Sequence, residues 1–243
     1  MTVCILVLTL NEMQGVEIIL PQIKREWYDR LIVLDGGSSD GTQELVKKSG
    51  YELFVQSRPG GKMAYYEVFP EIREDIIIAF SPDGNSLVQT IPLLIDRINE
   101  GYDLVIASRY KGGAKSFDDT WLTGLANFGF SKLISIFGYR YTDAMVMYRA
   151  YRRELVEKLK LNTLRSNIYE KFVGRYVSWE PLMAIRAAKV GVKIDEIPSD
   201  EPKRIDETGH GYLLPTSRIS HFKVGLACLF LCFEEMIFWT KMK

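Results

Sequence analysis

The chain has 243 residues, of which 47% are hydrophobic, with 31 basic and 31 acidic side chains. This length fits one large domain with a sizeable buried core. Balanced charge excludes the global field that recruits nucleic acid, so any anion binding must be local. The three cysteines, Cys4, Cys228 and Cys232, are too few for a disulfide framework and form no zinc-like cluster. They indicate a reducing compartment and small buried side chains.

Short apolar segments rich in β-branched residues recur through the first half of the chain, each bounded by Gly, Asp or Ser. They are ILVLTL at 5–10, RLIVLD at 30–35, ELFVQS at 52–57, DIIIAF at 75–80 and DLVIAS at 103–108. The stretches between several of them can hold helices, which indicates alternating β and α structure. Continuous apolar strands predict a mostly parallel sheet covered on both faces over roughly the first 115 residues.

Helical patterns dominate the second half of the chain. An apolar stretch with few charges runs from Phe117 to Gly138 and is typical either of core or of a membrane-facing surface. Further elements are a strand or turn near 141–149, helices around 152–160 and 179–189, and a strand at 192–198. These elements complete a predicted domain over 1–215.

The C-terminal segment, 216–243, is predicted to form an apolar helix. Its core from Val224 to Trp239 is interrupted by Glu234 and Glu235 and is shorter than the ~20 residues that a spanning helix needs. Three alternatives remain: a packed helix, a helix that forms a homodimer, and a monotopic membrane anchor. Aromatic residues beside flanking lysines favour peripheral membrane contact.

Polar or glycine-rich clusters follow four of the predicted strands. They are Asn11 with Glu12, then 35–42, 83–85 and 108–113. Because parallel strands end at the same edge of a sheet, all four clusters should meet at one rim. The sequence therefore predicts that ligands bind at this rim.

The segment LDGGSSDGT gives the backbone freedom to turn through its glycines, while Asp35 directs an acceptor at the crevice. The structural alternative is a well-capped turn in which Asp40 and Thr42 cap the next helix. The segment matches neither GxxxxGK[ST] nor GxGxxG, so the ATPase and nicotinamide-dependent classes lose support.

Five motifs follow one another in a fixed order: TLNE, DGGSSDGT, SPDGN, IASRYKGG and DAMVMYR. In this order they resemble glycosyltransferase family 2, and within it the dolichol-phosphate or polyprenyl-phosphate mannose synthase type, over roughly 3–210. The resemblance implies an α/β fold of the GT-A type, with a Rossmann-like, mostly parallel sheet flanked by helices. It also implies inverting transfer of a sugar from a nucleotide sugar, of the GDP-mannose or UDP-glucose type, to polyprenyl phosphate.

The same resemblance assigns the donor site. It places Thr9, Asn11, Glu12 and Asp35 around the base and ribose. Lys62 matches a basic helix start where a cation and free N–H groups meet a diphosphate, with a surface lysine as the alternative.

The resemblance also implies a metal site, because family members hold Mg²⁺ or Mn²⁺ at a D-x-D segment. A hard cation prefers oxygen ligands and neutralises the departing nucleotide. Here Ser81 occupies the place of the first Asp, which leaves Asp83 as the carboxylate and Asn85 as a neutral ligand.

On the acceptor side, Asp143 matches the acid that lies near the acceptor in this family, and Glu180 is a rival for that role. An alcohol acceptor would need one of them as general base, whereas a lipid phosphate is already anionic. The segment EPKRIDETGHG resembles the family's arginine-containing loop, which implies that Arg204 binds phosphate. Arg109 is a second predicted phosphate ligand, with an ion pair to a local carboxylate as the alternative. His210 is a third, with an ordinary loop histidine as the alternative.

Two other functions remain as alternatives. A nucleotidyltransferase shares the nucleotide-binding sheet and metal carboxylate, but TLNEMQG is a poor version of its glycine-rich loop. A catalytically weak nucleotide-sugar-binding protein is motivated by Ser81. The lipid acceptor predicts a location at the cytoplasmic face of a membrane.

Overall fold

A seven-stranded sheet forms the centre of the protein in a computed structural model that describes residues 1–163, 168–173, 179–205 and 218–237. The strands are β1 (Val3–Thr9), β2 (Arg30–Asp35), β3 (Glu52–Val55), β4 (Ile76–Phe80), β5 (Leu104–Ser108), β6 (Arg149–Arg152) and β7 (Ile194–Pro198). Their order is β3-β2-β1-β4-β6-β5-β7. Only β6 runs antiparallel to its neighbours, which confirms the predicted mostly parallel sheet.

Helices flank this sheet on both faces. In the described parts of the chain they are α1 (Met13–Ile19), α2 (Thr42–Lys48), α3 (Gly61–Val68), α4 (Thr90–Asn99), α5 (Trp121–Ser135), α6 (Arg153–Lys158), α7 (Ile168–Val173), α8 (Trp179–Val190) and α9 (Arg218–Ile237). Alternate residues of β1 enter different cores, with Leu6 in one and Ile5 in the other. The continuous apolar pattern of the strands thus reflects burial on both faces.

Strand β6 begins at the last residue of the segment 141–149, where the sequence predicted a strand or turn. Its pairing with β4 sets Arg149 opposite Ala79. Because β6 is antiparallel, its first residue lies at the edge where the parallel strands end. The preceding segment, 141–148, therefore joins the predicted rim.

Helix α9 packs against α5, α7 and α8 through its inner face. Ala227, Cys228, Leu231 and Cys232 are buried there. Glu235 is also buried, and its Oε1 accepts from Arg186 Nη2 at 2.8 Å. Among the described residues, no helix is long and apolar enough to cross a membrane.

Replacing Glu235 with glutamine should lower the free energy of unfolding by about 3 kcal/mol, because two buried cations, Arg186 and Lys189, would lose their carboxylate. Burial tends to raise the pKa of Glu235, but these cations bring it below its usual value. Their stabilisation is therefore present above the usual glutamate range and lost on acidification. Urea denaturation at neutral and acidic pH measures both effects, with Glu234→Gln as the neighbouring control. Equal stabilities of the two variants would contradict the assignment.

Candidate active site

The rim is formed by the residues that follow β1, β2, β4 and β5, as the sequence predicted, and the structure adds segment 141–148. Helix α1 closes onto the loop after β4 so tightly that a Cβ at Gly15 would lie 2.3 Å from Pro82 O. Only glycine fits there without a shift of the backbone. The loops after β1 and β4 are therefore held together at the rim.

Asp35 forms the centre of a fully hydrogen-bonded turn. Its carboxylate is buried and accepts from the backbone N–H groups of Gly37 and Ser38 at 3.0 and 2.8 Å. Thr9 Oγ1 and Gln43 Nε2 donate to it at 3.0 and 2.7 Å. These hydrogen bonds stabilise the turn itself, and nucleoside binding by Asp35 or Thr9 stays a prediction that requires exchange of some of these donors.

Asn11 and Glu12 join the first rim loop to the second. Asn11 has a left-handed backbone (φ 57), which asparagine tolerates, and its Oδ1 accepts from the N–H of Ser39 at 2.9 Å. The N–H of Glu12 donates to Thr42 Oγ1 at 3.0 Å. Thr42 thus receives a bond from the first loop and does not cap α2, whereas Asp40 Oδ1 accepts from the Thr42 N–H as predicted.

Asp83 and Arg204 face each other across the rim. Asp83 is buried, with its Oδ2 3.8 Å from Arg204 Nε, and Arg204 Nε also donates to Asp118 Oδ2 at 3.1 Å. Burial raises the pKa of the Asp83 carboxyl, an effect that the Arg204 cation opposes. The Asn85 N–H donates to Asp83 Oδ1 at 3.2 Å. The predicted metal carboxylate and the predicted phosphate ligand therefore form one ion pair.

Arg109 lies among three carboxylates. Its Nε and Nη2 donate to the two oxygens of Asp143 at 2.7 and 3.1 Å, a bidentate pair in which Asp143 is fully buried. Its Nη1 lies 3.3 Å from oxygens of both Asp119 and Glu201. Burial raises the pKa of Glu201, and the Arg109 cation counters that rise. Arg109 can bind phosphate only by giving up some of these bonds.

Glu196 fixes the segment that carries Asp143. Its carboxylate is buried at β7 and accepts from the N–H groups of Thr142 and Asp143 at 2.9 and 2.8 Å. Burial raises the pKa of Glu196, and these hydrogen bonds counter that rise. The orientation of Asp143 therefore depends on a residue that sequence reasoning did not single out.

Glu180 lies behind this segment, at the start of α8. Its backbone oxygen accepts from Arg149 Nη1 at 3.2 Å, and Arg149 Nη2 donates to Ala144 O at 3.1 Å. The side chain is buried, and within the described structure Oε1 has no hydrogen-bond partner. The structure thus brings Glu180 near the Asp143 segment, but of these two acids Asp143 is the one that contacts Arg109.

Lys62 is buried in α3, with its Nζ 3.6 Å from Glu170 Oε2, so the surface-lysine alternative is wrong. Burial lowers the pKa of Lys62, and Glu170 opposes that effect. Contact with a diphosphate would require the ammonium to leave this pair. His210 lies outside the described residues.

Sequence reasoning missed the acids of the segment between β5 and α5. Asp118 holds Arg204, and Asp119 holds Arg109, so two adjacent residues connect both arginine sites. Glu201 approaches the same arginine from beyond β7. The available signal was the pair of consecutive acids in SFDDT next to a long apolar helix.

A sheet of this order, with carboxylates and arginines gathered at one edge, defines an α/β domain of the GT-A type. The family model described as glycosyl transferase family 2 matches residues 4–160. The chain belongs to glycosyltransferase family 2, which confirms the family predicted from the motifs.

Curated relatives include several lipid-phosphate sugar transferases. Glycosyltransferase AglJ of Haloferax volcanii is 29% identical over 209 residues, which cover 84% of this chain but only 64% of AglJ. A dolichyl-phosphate hexose transferase of the same organism is 29% identical over 82% of each chain. The polyprenol monophosphomannose synthase of Mycolicibacterium smegmatis is 27% identical over 80% of this chain and 75% of its own. The predicted resemblance to this type of transferase is confirmed.

Solved structures support the fold. Glucosyl-3-phosphoglycerate synthase from Mycobacterium tuberculosis, in complex with Mg²⁺ and UDP, aligns with a TM-score of 0.68 at 19% identity, over 95% of this chain and 79% of that chain. A complex of the same synthase with Mn²⁺, UDP and glucosyl-3-phosphoglycerate aligns with a TM-score of 0.65. At this identity the likeness establishes the GT-A fold alone.

Replacing Glu180 with glutamine should stabilise the protein at neutral pH by about 1–3 kcal/mol, because it removes a buried charge with an unpaired oxygen. Burial raises the pKa of Glu180 above its usual value of 4.5. The folded parent therefore holds its proton longer than the unfolded chain, and its stability falls as pH rises above that value. Thermal unfolding from acidic to neutral pH should show this fall in the parent and a smaller one in the variant. Parallel curves for the two proteins would refute the assignment.

Proposed function

We propose that the protein transfers a sugar from a nucleotide-diphosphate donor, of the GDP-mannose or UDP-glucose type, to polyprenyl phosphate at the cytoplasmic face of a membrane. Family membership supplies the sugar transfer. The names of the dolichyl-phosphate hexose transferase and the polyprenol monophosphomannose synthase support the lipid-phosphate acceptor. The observation that carries the proposal is the juxtaposition of two arginine–carboxylate sites through the adjacent residues Asp118 and Asp119.

Of the two arginine–carboxylate sites, the one proposed to bind the donor centres on Asp83. The described residues contain no group of three His, Cys, Asp or Glu side chains that could hold a metal, so the diphosphate and water would supply the remaining ligands. A buried carboxylate beside a cation fits that arrangement, with Asn85 as a neutral ligand. Bound Mg²⁺ or Mn²⁺ would neutralise the leaving diphosphate. Arg204, displaced from Asp83, would then bind the diphosphate.

The acceptor side centres on Arg109 and Asp143. An oxygen of the acceptor phosphate attacks the anomeric carbon, and the bond from that carbon to the diphosphate oxygen breaks. The nucleoside diphosphate leaves with the electron pair, and the configuration at carbon inverts. Because the attacking oxygen is already anionic, this step needs no general base. We therefore assign Asp143 to holding Arg109 in place.

The direct test is to incubate the purified protein with GDP-mannose or UDP-glucose, Mg²⁺ or Mn²⁺, and a short-chain polyprenyl phosphate in detergent. Mass spectrometry should detect a sugar-phosphate lipid and an equal amount of nucleoside diphosphate. A parallel reaction with phosphoglyceric acid tests a soluble acceptor.

Each alternative predicts a different product. Lipid-independent transfer to phosphoglyceric acid would overturn the acceptor assignment. Release of pyrophosphate from a nucleoside triphosphate and a sugar phosphate would indicate a nucleotidyltransferase. Thermal stabilisation by a nucleotide sugar without turnover would indicate a binding protein.

A further inference from the structure

The outer side of α5 exposes large apolar side chains. Trp121 retains 81% of its accessible surface, and its neighbours on the helix are exposed by more than half. These residues are Trp121, Leu122, Leu125 and Phe128 on α5 and Ile136 directly after it. Spacings of three and four place 121, 125 and 128 on one side of the helix. Soluble monomers seldom expose a contiguous apolar patch of more than about a few hundred Å².

Helix α9 extends this apolar area. It packs beside α5, where a Cβ on Gly225 would lie 3.8 Å from the ring of Phe130. While its inner face is buried, its outer side chains are exposed: Phe230, Phe233, Met236 and Ile237. We call the exposed apolar side chains of α5 and α9 the α5–α9 surface.

The charges near this surface favour an anionic partner. Helix α5 contains no acidic residue, and its one charged side chain, Lys132, lies with its Nζ 5.3 Å from the ring centre of Phe128. On α9, Glu235 is buried against Arg186. The other acid of this helix, Glu234, is partly exposed, and Lys223 is exposed. Apolar side chains with basic residues beside them are typical of helices that lie in a bilayer interface.

The α5–α9 surface begins next to the candidate active site. Thr120 caps α5 by accepting from the N–H of Thr123 at 3.2 Å. The two residues before it, Asp118 and Asp119, hold Arg204 and Arg109. A partner bound to α5 would therefore lie within about one helical turn of the rim.

We propose that the α5–α9 surface docks on an anionic lipid bilayer and sets the rim at the level of the headgroups. The helices lie along the interface, with Trp121 at the polar boundary and Phe128 in the acyl region. The benefit for catalysis rests on the proposed lipid-phosphate acceptor, whereas the docking itself follows from exposure and charge. A second copy of the chain is the competing occupant, which the test separates.

The test compares two triple variants in flotation with phosphatidylcholine vesicles, with and without phosphatidylglycerol. One carries Trp121→Ser, Leu125→Ser and Phe128→Ser. The matched control carries Ile18→Ser, Val55→Ser and Leu93→Ser, which are exposed on α1, β3 and α4. We expect the α5 variant to lose at least about tenfold in vesicle binding, because each burial contributes on the order of 1 kcal/mol or more. The control should bind as the parent does, and binding should strengthen with phosphatidylglycerol.

Transfer assays separate the docking from the proposed function. The α5 variant should keep its transfer to a short-chain acceptor in detergent but lose at least about tenfold with acceptor embedded in vesicles. Failure of the parent with both acceptors would overturn the proposed function and leave the vesicle result intact. Undiminished vesicle binding by the α5 variant would overturn the docking. So would a parent that ignores vesicles and sediments as a dimer, if the α5 variant sediments as a monomer.

Discussion

Replacing Asp83 with asparagine should lower sugar transfer by on the order of 10²–10³-fold while the protein remains folded. The amide keeps the shape of the side chain but removes the one carboxylate of the SPDGN loop, which faces Arg204 at 3.8 Å. Because Asp83 is the one carboxylate of this loop, its replacement leaves no second carboxylate there to bind a hard cation. The measurement is initial rate against the concentration of Mg²⁺ or Mn²⁺ at saturating donor.

The matched control for this variant is Asp118→Asn, which removes the other carboxylate that contacts Arg204. Since Asp118 lies outside the SPDGN loop, we expect its loss to cost less than about tenfold and to leave the metal dependence unchanged. An Asp83→Asn enzyme that retains full, saturable metal dependence would place the cation elsewhere. The two variants therefore distinguish the metal role from a general loss of negative charge near Arg204.

A gain of affinity at Ser81 gives an independent check of the same site. Ser81 is buried at the end of β4, two residues before Asp83, where the family's D-x-D segment has its first acid. Ser81→Asp should lower the concentration of Mn²⁺ needed for half-maximal transfer, and should lower stability without metal because two buried carboxylates repel. An unchanged metal requirement would show that this position does not face the cation.

The sheet could be predicted from the sequence because burial on both faces leaves continuous apolar segments. The segments at 30–35 and 75–80, for example, became β2 and β4. The position of β6 could not be predicted from the sequence. Its first residue, Arg149, is long and charged, and such residues are seldom buried in a central strand. The structure shows that its guanidinium is buried and bound by backbone oxygens of Val146, Ala144 and Glu180, which no local pattern reveals.

The sequence predicted that the site residues lie at one edge of the sheet, because they follow the ends of strands. It did not predict which of these residues form pairs. Asp83 with Arg204 and Asp143 with Arg109 are separated in sequence by 121 and 34 residues, so only the fold brings them together. Asp118 and Asp119 went unnoticed because acids at a helix start usually serve as caps. Lys62 was expected at the rim because the start of a helix resembles an anion site. The Lys62 side chain is instead buried and forms an ion pair with Glu170.

Because α9 packs against α5, α7 and α8, deletion of the C-terminal segment is a poor test of membrane contact. A C-terminal segment that was free of the domain could simply be deleted, but α9 contributes Cys228, Leu231 and a buried ion pair through Glu235. Deletion would expose the surfaces that these residues cover and confuse unfolding with loss of binding. Substitution on the outer side of α5 avoids this problem, because Trp121 makes little contact with the core.

Asp143→Asn and Arg109→Lys should each lower kcat/KM with a polyprenyl phosphate acceptor by about 10²-fold, and the double variant should be no worse than either one. Both oxygens of Asp143 are bound by Arg109, and the carboxylate is fully buried. Asparagine removes the charge and lysine removes the fork, so each change breaks the same bidentate pair. A shared loss is what a positioning pair predicts.

General-base catalysis by Asp143 predicts a different pattern. Loss of a base would make Asp143→Asn far more damaging than Arg109→Lys, and the double variant would be about as poor as Asp143→Asn alone. Asp119→Asn serves as the control, since it removes one partner of the same guanidinium and leaves the pair with Asp143 intact. Breaking a buried pair also costs about 3 kcal/mol of stability. The parent, the two single variants, the double variant and the control must therefore be compared well below the lowest of their unfolding temperatures. Equal and non-additive losses under those conditions would support a positioning pair, which suffices for an acceptor that is already anionic because a phosphate oxygen can attack without giving up a proton.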